Sequence, residues 1–161
     1  MHGKNNRQFL ICDENPHTRR LVADVLAGAG FEKVQFANDG IELLKLTIEF
    51  QPRIVITTSR VPGVSGLDYT RTIRAGFRGV DRALSIIVMT DTPTQRFIDA
   101  AREAGADELL VRPFNGAALL SRVEAVLLRP RRFVESISYV GPCRRRRRAP
   151  RPARPCRRQT P

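Results

Sequence analysis

The stretch RIVITTSRVPGVSG, residues 53–66, is the part of the chain from which the architecture is most readily read. After Arg53 it runs through Ile54, Val55 and Ile56 without a polar break, ends on Thr57 and Thr58, and then turns through Pro62, Gly63 and Gly66. A strand with one face in water alternates apolar and polar residues, whereas a strand covered on both faces reads as a continuous β-branched run. Residues 53–57 are of the second kind, which predicts a parallel sheet with helices on both sides. Comparable short runs surround it: QFLIC at 8–12, KVQFA at 33–37, LSIIVMT at 84–90 and ELLV at 108–111.

Helical patterns fill the gaps. Asn15 is placed to cap a helix beginning at Pro16, with Leu21, Val22, Val25, Leu26 and Ala29 as its apolar stripe and Gly30 as its stop. Thr92 and Pro93 repeat the device for a helix that buries Phe97, Ile98 and Ala101 and ends at Gly105. Further helices are predicted over about residues 41–49 and 67–74, and from Asn115 onward with Leu119, Leu120, Val123 and Leu127 inward. Five strands alternating with five helices predict an α/β, flavodoxin-like doubly wound fold, a five-stranded parallel sheet in the order 2-1-3-4-5.

The 161 residues, 42% of them hydrophobic, fit one domain with an appendage, placed at 8–128 and 129–161. The net charge of +12 sits almost wholly in the second part, where 12 arginines face Glu135 alone, so the body carries +1 and the extension +11. Six of the 11 prolines and the run Arg144, Arg145, Arg146, Arg147, Arg148 also lie there. Such a composition cannot offset its ordering entropy, and residues 141–161 are expected to be disordered. The piece FVESISYV, 133–140, is set apart by Phe133, Ile137, Tyr139 and Val140, which suit docking on the body or on a partner. Cys12, Cys143 and Cys156 match no metal-binding spacing, and Cys12 falls in an apolar strand. The first residues, MHGKNNRQFL, lack the apolar core of a leader, and no run of about 18 apolar residues occurs. A reducing, cytoplasmic setting with no membrane span is the expectation.

In an open α/β sheet ligands sit at the carboxyl ends of the strands. That rule selects Asp13 and Glu14 after the first strand, Thr57 to Arg60 after the third, Thr90 after the fourth, and Arg112-Pro113 after the fifth. Gly28 and Gly30 follow a helix and lack dinucleotide-loop spacing, and His17 reads as a surface residue at a helix start.

With LICDENP, RVPGVSGLD, VMT and AREAGADELLVRPF in this order over residues 8–128, the chain resembles the CheY-like receiver domains of bacterial two-component response regulators. The resemblance implies an acidic Mg²⁺ pair at Asp13 and Glu14, a phosphoacceptor position at Thr58, a hydroxyl position at Thr90, a lysine position at Arg112 and a switch position at Leu109. It also implies that Pro113 follows a cis bond. Three of these depart from the family's pattern. Where receivers carry an aspartate nucleophile the chain has Thr58, whose hydroxyl needs a base that neither His2 nor His17 is placed to supply. The change also removes a metal ligand, leaving at most a weak Mg²⁺ site at Asp13 and Glu14. Arg112, or Arg60 in the loop, is expected to pair with one of these acids in place of metal and lysine. Leu109 offers no polar tip for an aromatic switch.

The expectation is therefore a degenerate single-domain response regulator without enzymatic activity, acting by protein-protein contact independent of phosphorylation. A histidine kinase or another regulator is the implied partner. The implied surface is that of the fourth helix, fifth strand and fifth helix, with Gln95, Arg96, Arg102, Arg122 and Glu124 exposed, which also suits a homodimer. Two alternatives stand beside it: a phosphoacceptor using Asp13 or Glu14, and a regulator that binds nucleic acid or another acidic surface through residues 144–148. No resident cofactor is expected.

Overall fold

A computed structural model describes residues 7–145. Strands β1 (Gln8–Cys12), β2 (Lys33–Ala37), β3 (Ile54–Thr58), β4 (Ser85–Thr90) and β5 (Glu108–Val111) form one sheet in the order β2-β1-β3-β4-β5. All four pairings are parallel, and the register sets Cys12 beside Thr57 and Thr58 beside Met89, so the strand ends share one rim. The fold expected from the alternating runs is the one observed.

Five helices connect the strands: α1 (Pro16–Gly28), α2 (Gly40–Phe50), α3 (Gly66–Ala75), α4 (Gln95–Ala104) and α5 (Gly116–Leu128). Asn15, Asp39, Ser65, Thr94 and Asn115 each place a side-chain oxygen on an orphan N–H of the first turn. One face of the sheet buries Phe9, Ile11, Ile54, Ile56, Ile87 and Met89 against Val22, Leu26, Leu119 and Val123 of α1 and α5. The other buries Leu10, Val55, Ile86 and Val88 against Leu43, Tyr69, Ile73 and Ala101 of α2, α3 and α4. β3 is buried at all five positions, the physical counterpart of its unbroken apolar run. Gly66 lets α3 start against the end of β3, because a Cβ there would collide with the Thr58 carbonyl oxygen.

Several expectations need correction. Leu21 is 51% exposed, since the buried arc of α1 is covered by Val22 and Leu26 and does not extend one residue earlier. The cap of α4 is Thr94, not Thr92: its hydroxyl accepts from Phe97 N–H, while Thr92 N–H is bonded to Thr90 Oγ1 in the preceding loop. Phe97 and Ile98 are half-buried, and the fully covered residues of α4 are Ala101 and Ala104.

The extension also begins with more structure than expected. β6 (Phe133–Glu135) and β7 (Val140–Pro142) form an antiparallel hairpin, so Gly141 and Pro142 are strand residues despite the expectation of disorder from 141 onward. Ile137 stands fully exposed at its tip instead of docking. Residues 146–161, including Arg146 to Arg148 and Cys156, lie outside the described residues, as does His2.

Candidate functional site

The rim is assembled from four strand ends and closed by one side chain. Asp13, 2% exposed, follows β1; its Oδ1 accepts from Asn15 N–H at 2.8 Å, and Arg19 Nη1 donates to its carbonyl oxygen at 2.6 Å. Thr58, 1% exposed, ends β3. Thr90 ends β4 with its side chain buried and its Oγ1 accepting from Thr92 N–H at 3.1 Å. Arg112 follows β5, its N–H donating to Thr90 O at 2.8 Å, and the Arg112–Pro113 peptide is cis.

The Arg112 guanidinium reaches across the rim. Nη1 donates to Asp13 Oδ2 at 2.9 Å, and Nη2 donates to Thr58 Oγ1 at 2.8 Å and, more weakly, to Asp91 Oδ2 at 3.3 Å. Nε lies 3.0 Å from Asp91 Oδ1, within ion-pair distance, but its buried N–H is not aimed for a hydrogen bond. The Arg112 side chain is 20% exposed and that of Asp13 3%, so this is a largely desolvated pair whose guanidinium compensates a carboxylate otherwise buried. The planar fork is what allows one side chain to serve a carboxylate and a hydroxyl at once.

Of the two arginines weighed for this pairing, Arg112 makes it and Arg60 stands exposed in the loop after β3, outside the cluster. Glu14 is likewise exposed. His17 is exposed on the first turn of α1, its N–H bonded to Asn15, and is not among the partners of Arg112. Cys12, just before Asp13, is buried, and burial pushes its thiol up to about 12, so it packs as an apolar residue. Asp91 joins the cluster without having been singled out in the sequence; an acid directly after the strand-four hydroxyl was the available signal.

On the α4-β5-α5 face, Gln95, Arg96, Arg102 and Glu124 are exposed, and Leu109 is half-buried against the core. Arg122 is instead paired with Glu108 at 3.1 Å, and Arg131 of the extension reaches the same carboxylate at 3.4 Å. These residues, with Arg102 and Asp107, border a shallow cleft of about 260 Å³. Among the described residues no helix is long and apolar enough to cross a membrane.

A 2-1-3-4-5 parallel sheet with acid, hydroxyl and cation gathered at its carboxyl rim defines a receiver-type signalling module. The model of the response regulator receiver domain matches residues 9–124, and the chain belongs to that family. It is 29% identical over 124 residues to the chemotaxis protein CheY-3 of Vibrio cholerae, covering 77% of this chain and 94% of that one. It is also 29% identical over 123 residues to the DNA-binding response regulator MtrA of Mycolicibacterium smegmatis, covering 76% of this chain but only 51% of the relative, about half its length. Among solved structures, a putative response regulator from Chloroflexus aurantiacus superposes with a TM-score of 0.70 at 28% identity, covering 76% of this chain and 98% of that one. CheY4 of Vibrio cholerae shares the fold with a TM-score of 0.68 at 24% identity, covering 74% and 98%. The chain is thus a receiver domain of two-component signalling.

Proposed function

We propose that this receiver signals by occupancy of one conformation and takes no phosphoryl group. What carries the proposal is the Arg112 fork, bonded to Asp13 and Thr58 in the place where a receiver's phosphoryl group and its cation would meet. Thr58 Oγ1 accepts from Arg112 Nη2, and the two carboxylates of the cluster, Asp13 and Asp91, are engaged by the same guanidinium, so the hydroxyl has no free base beside it to take its proton. Partners of this chain, a histidine kinase or another regulator, are then met through exposed surface such as the α4-β5-α5 face, without turnover at the rim.

The same geometry argues against a resident Mg²⁺. That ion takes near-octahedral oxygen ligands, whereas here one Asp13 oxygen faces a guanidinium, the other accepts from Asn15 N–H, and a neutral hydroxyl ends β3. Only the exposed Glu14 carboxylate is left uncommitted by that cluster, too little for more than weak binding.

Incubation of the full chain with radiolabelled acetyl phosphate, and separately with a phosphorylated histidine kinase, is expected to leave it unlabelled. Stoichiometric threonyl label, or an acid-stable, base-labile label on Asp13 or Glu14, overturns the proposal; so does octahedral Mg²⁺ binding at millimolar affinity or tighter. The double variant Thr58→Asp with Arg112→Lys is expected to gain labelling.

A further inference from the structure

The amino ends of the strands, opposite the rim, are where the extension docks. Arg74 at the end of α3 lies 5.7 Å from the Phe133 ring, Arg82 pairs with Glu135 at 3.4 Å, and Gly141 packs so closely on Gly105 that a Cβ on it would come within 2.9 Å of the Gly105 Cα. Glu135 is the one acid of the extension, and it is engaged by Arg82. The docked segment shows Arg129, Arg132, Arg144 and Arg145 to solvent. Cys143 N–H donates to Arg132 O at 2.7 Å, which carries the hairpin pairing one residue past β6 and β7 and sets Arg132 opposite Cys143, next in the chain to Arg144. Arg144 is oriented by the Tyr139 ring, 4.2 Å beneath its guanidinium. Arg78 is exposed in the turn after α3, at the same end of the sheet.

We infer that this end of the molecule binds the phosphodiester backbone of a nucleic acid through the exposed Arg132, Arg144 and Arg145, which the docked hairpin carries at the head of the arginine run. All 12 cations of residues 129–161 are arginine, whose fork matches phosphate bidentately. Arginines whose backbone is fixed to the body lose less backbone entropy on binding than the same charges on a free chain. A duplex, with one charge per about 1.7 Å of axis, is the polyanion that rewards closely spaced cations most, through counterion release. An anionic lipid surface fits less well, because stable peripheral anchoring takes a second, apolar signal beside the charge, and the large apolar side chains that residues 128–145 leave exposed, Leu128 and Ile137, stand apart, one at the end of α5 and one at the hairpin tip. Recognition is of the backbone and not of sequence: Arg144 already covers the Tyr139 ring and the Tyr139 hydroxyl donates to Pro142 O, leaving no platform for base stacking. Lying opposite the rim, the surface is independent of the functional reading above.

Fluorescence anisotropy of a labelled DNA duplex with the full chain, between about 50 and 200 mM salt, tests the inference. Binding should weaken steeply with salt. The triple variant Arg132→Gln, Arg144→Gln, Arg145→Gln should flatten the log–log slope by about 2–3 and weaken binding at the lowest salt about tenfold or more, with the circular dichroism unchanged. Lysine at the same three positions should restore the slope. The inference fails if the full chain does not bind the duplex, if the glutamine variant binds like the parent, or if phosphatidylglycerol vesicles retain the protein at salt concentrations that release the duplex.

Discussion

Each end of the sheet is organised around one arginine, and the two arginines are held in different ways. Arg112 at the rim bonds side chains: Asp13, Thr58 and Asp91. Arg74 at the opposite end, 3% exposed, donates to the backbone carbonyls of Gly105, Arg82 and Leu84 as well as to Asp107 Oδ2 at 3.0 Å. A guanidinium spread over backbone carbonyls ties three segments of chain together and belongs to the fold. One spread over strand-end side chains fills a site that the fold would form without it.

The largest effect should come from breaking the buried member. Arg74→Met leaves three carbonyls and Asp107 without their donor and should cost about 3–5 kcal/mol, read as a drop in the urea midpoint with loss of amide protection in β6 and β7. Arg112→Met should cost less, about 1–3 kcal/mol, because water can reach the partly open rim and rehydrate Asp13; in the same variant Mg²⁺ affinity should rise, a gain Arg74→Met should not show.

A pH series sharpens the contrast. Burial pushes the Asp107 carboxyl up to about 6, against the pull of Arg74 and the Ile86 N–H. A carboxyl raised in the folded state binds its proton more readily there than in the unfolded chain, so its contribution to stability is complete below its ordinary value near 3.8 and is lost as the pH climbs through about 6. Relative to Asp107→Asn, the parent should therefore lose on the order of 1–2 kcal/mol between those limits, measured by denaturant midpoints across the series. The smallest change should follow Glu135→Gln: its pair with Arg82 is exposed, and salt-sensitive stability should fall by less than about 1 kcal/mol.

The same contrast governs what could be read from residues alone. The sheet was legible because burial on both faces suppresses alternation, as in Ile54–Ile56, and the rim followed from where those runs stop. The partners of Arg112 were only half legible. An arginine-acid pairing follows from charge, but Asp91 sits in a loop without periodicity, and only the folded register brings it alongside. The cap of α4 went to Thr94 because two threonines flank Pro93, and sequence offers both the same chemistry. Arg74 was illegible: a cation in the last turn of a helix ordinarily faces water, and it is the folded register of residues 82–84 and 105–107, together with the returning hairpin, that buries it.

The close approach of Gly141 to Gly105 has a practical bearing on any shortened version of this protein. The family match ends at residue 124, yet Phe133, Tyr139 and the backbone of residues 140–142 form part of the wall around Arg74 and Gly105. Trimming the chain to conventional receiver length would unroof that guanidinium and its carboxylate together. A fragment cut there should be less stable than the intact protein, which a comparison of their urea midpoints would show.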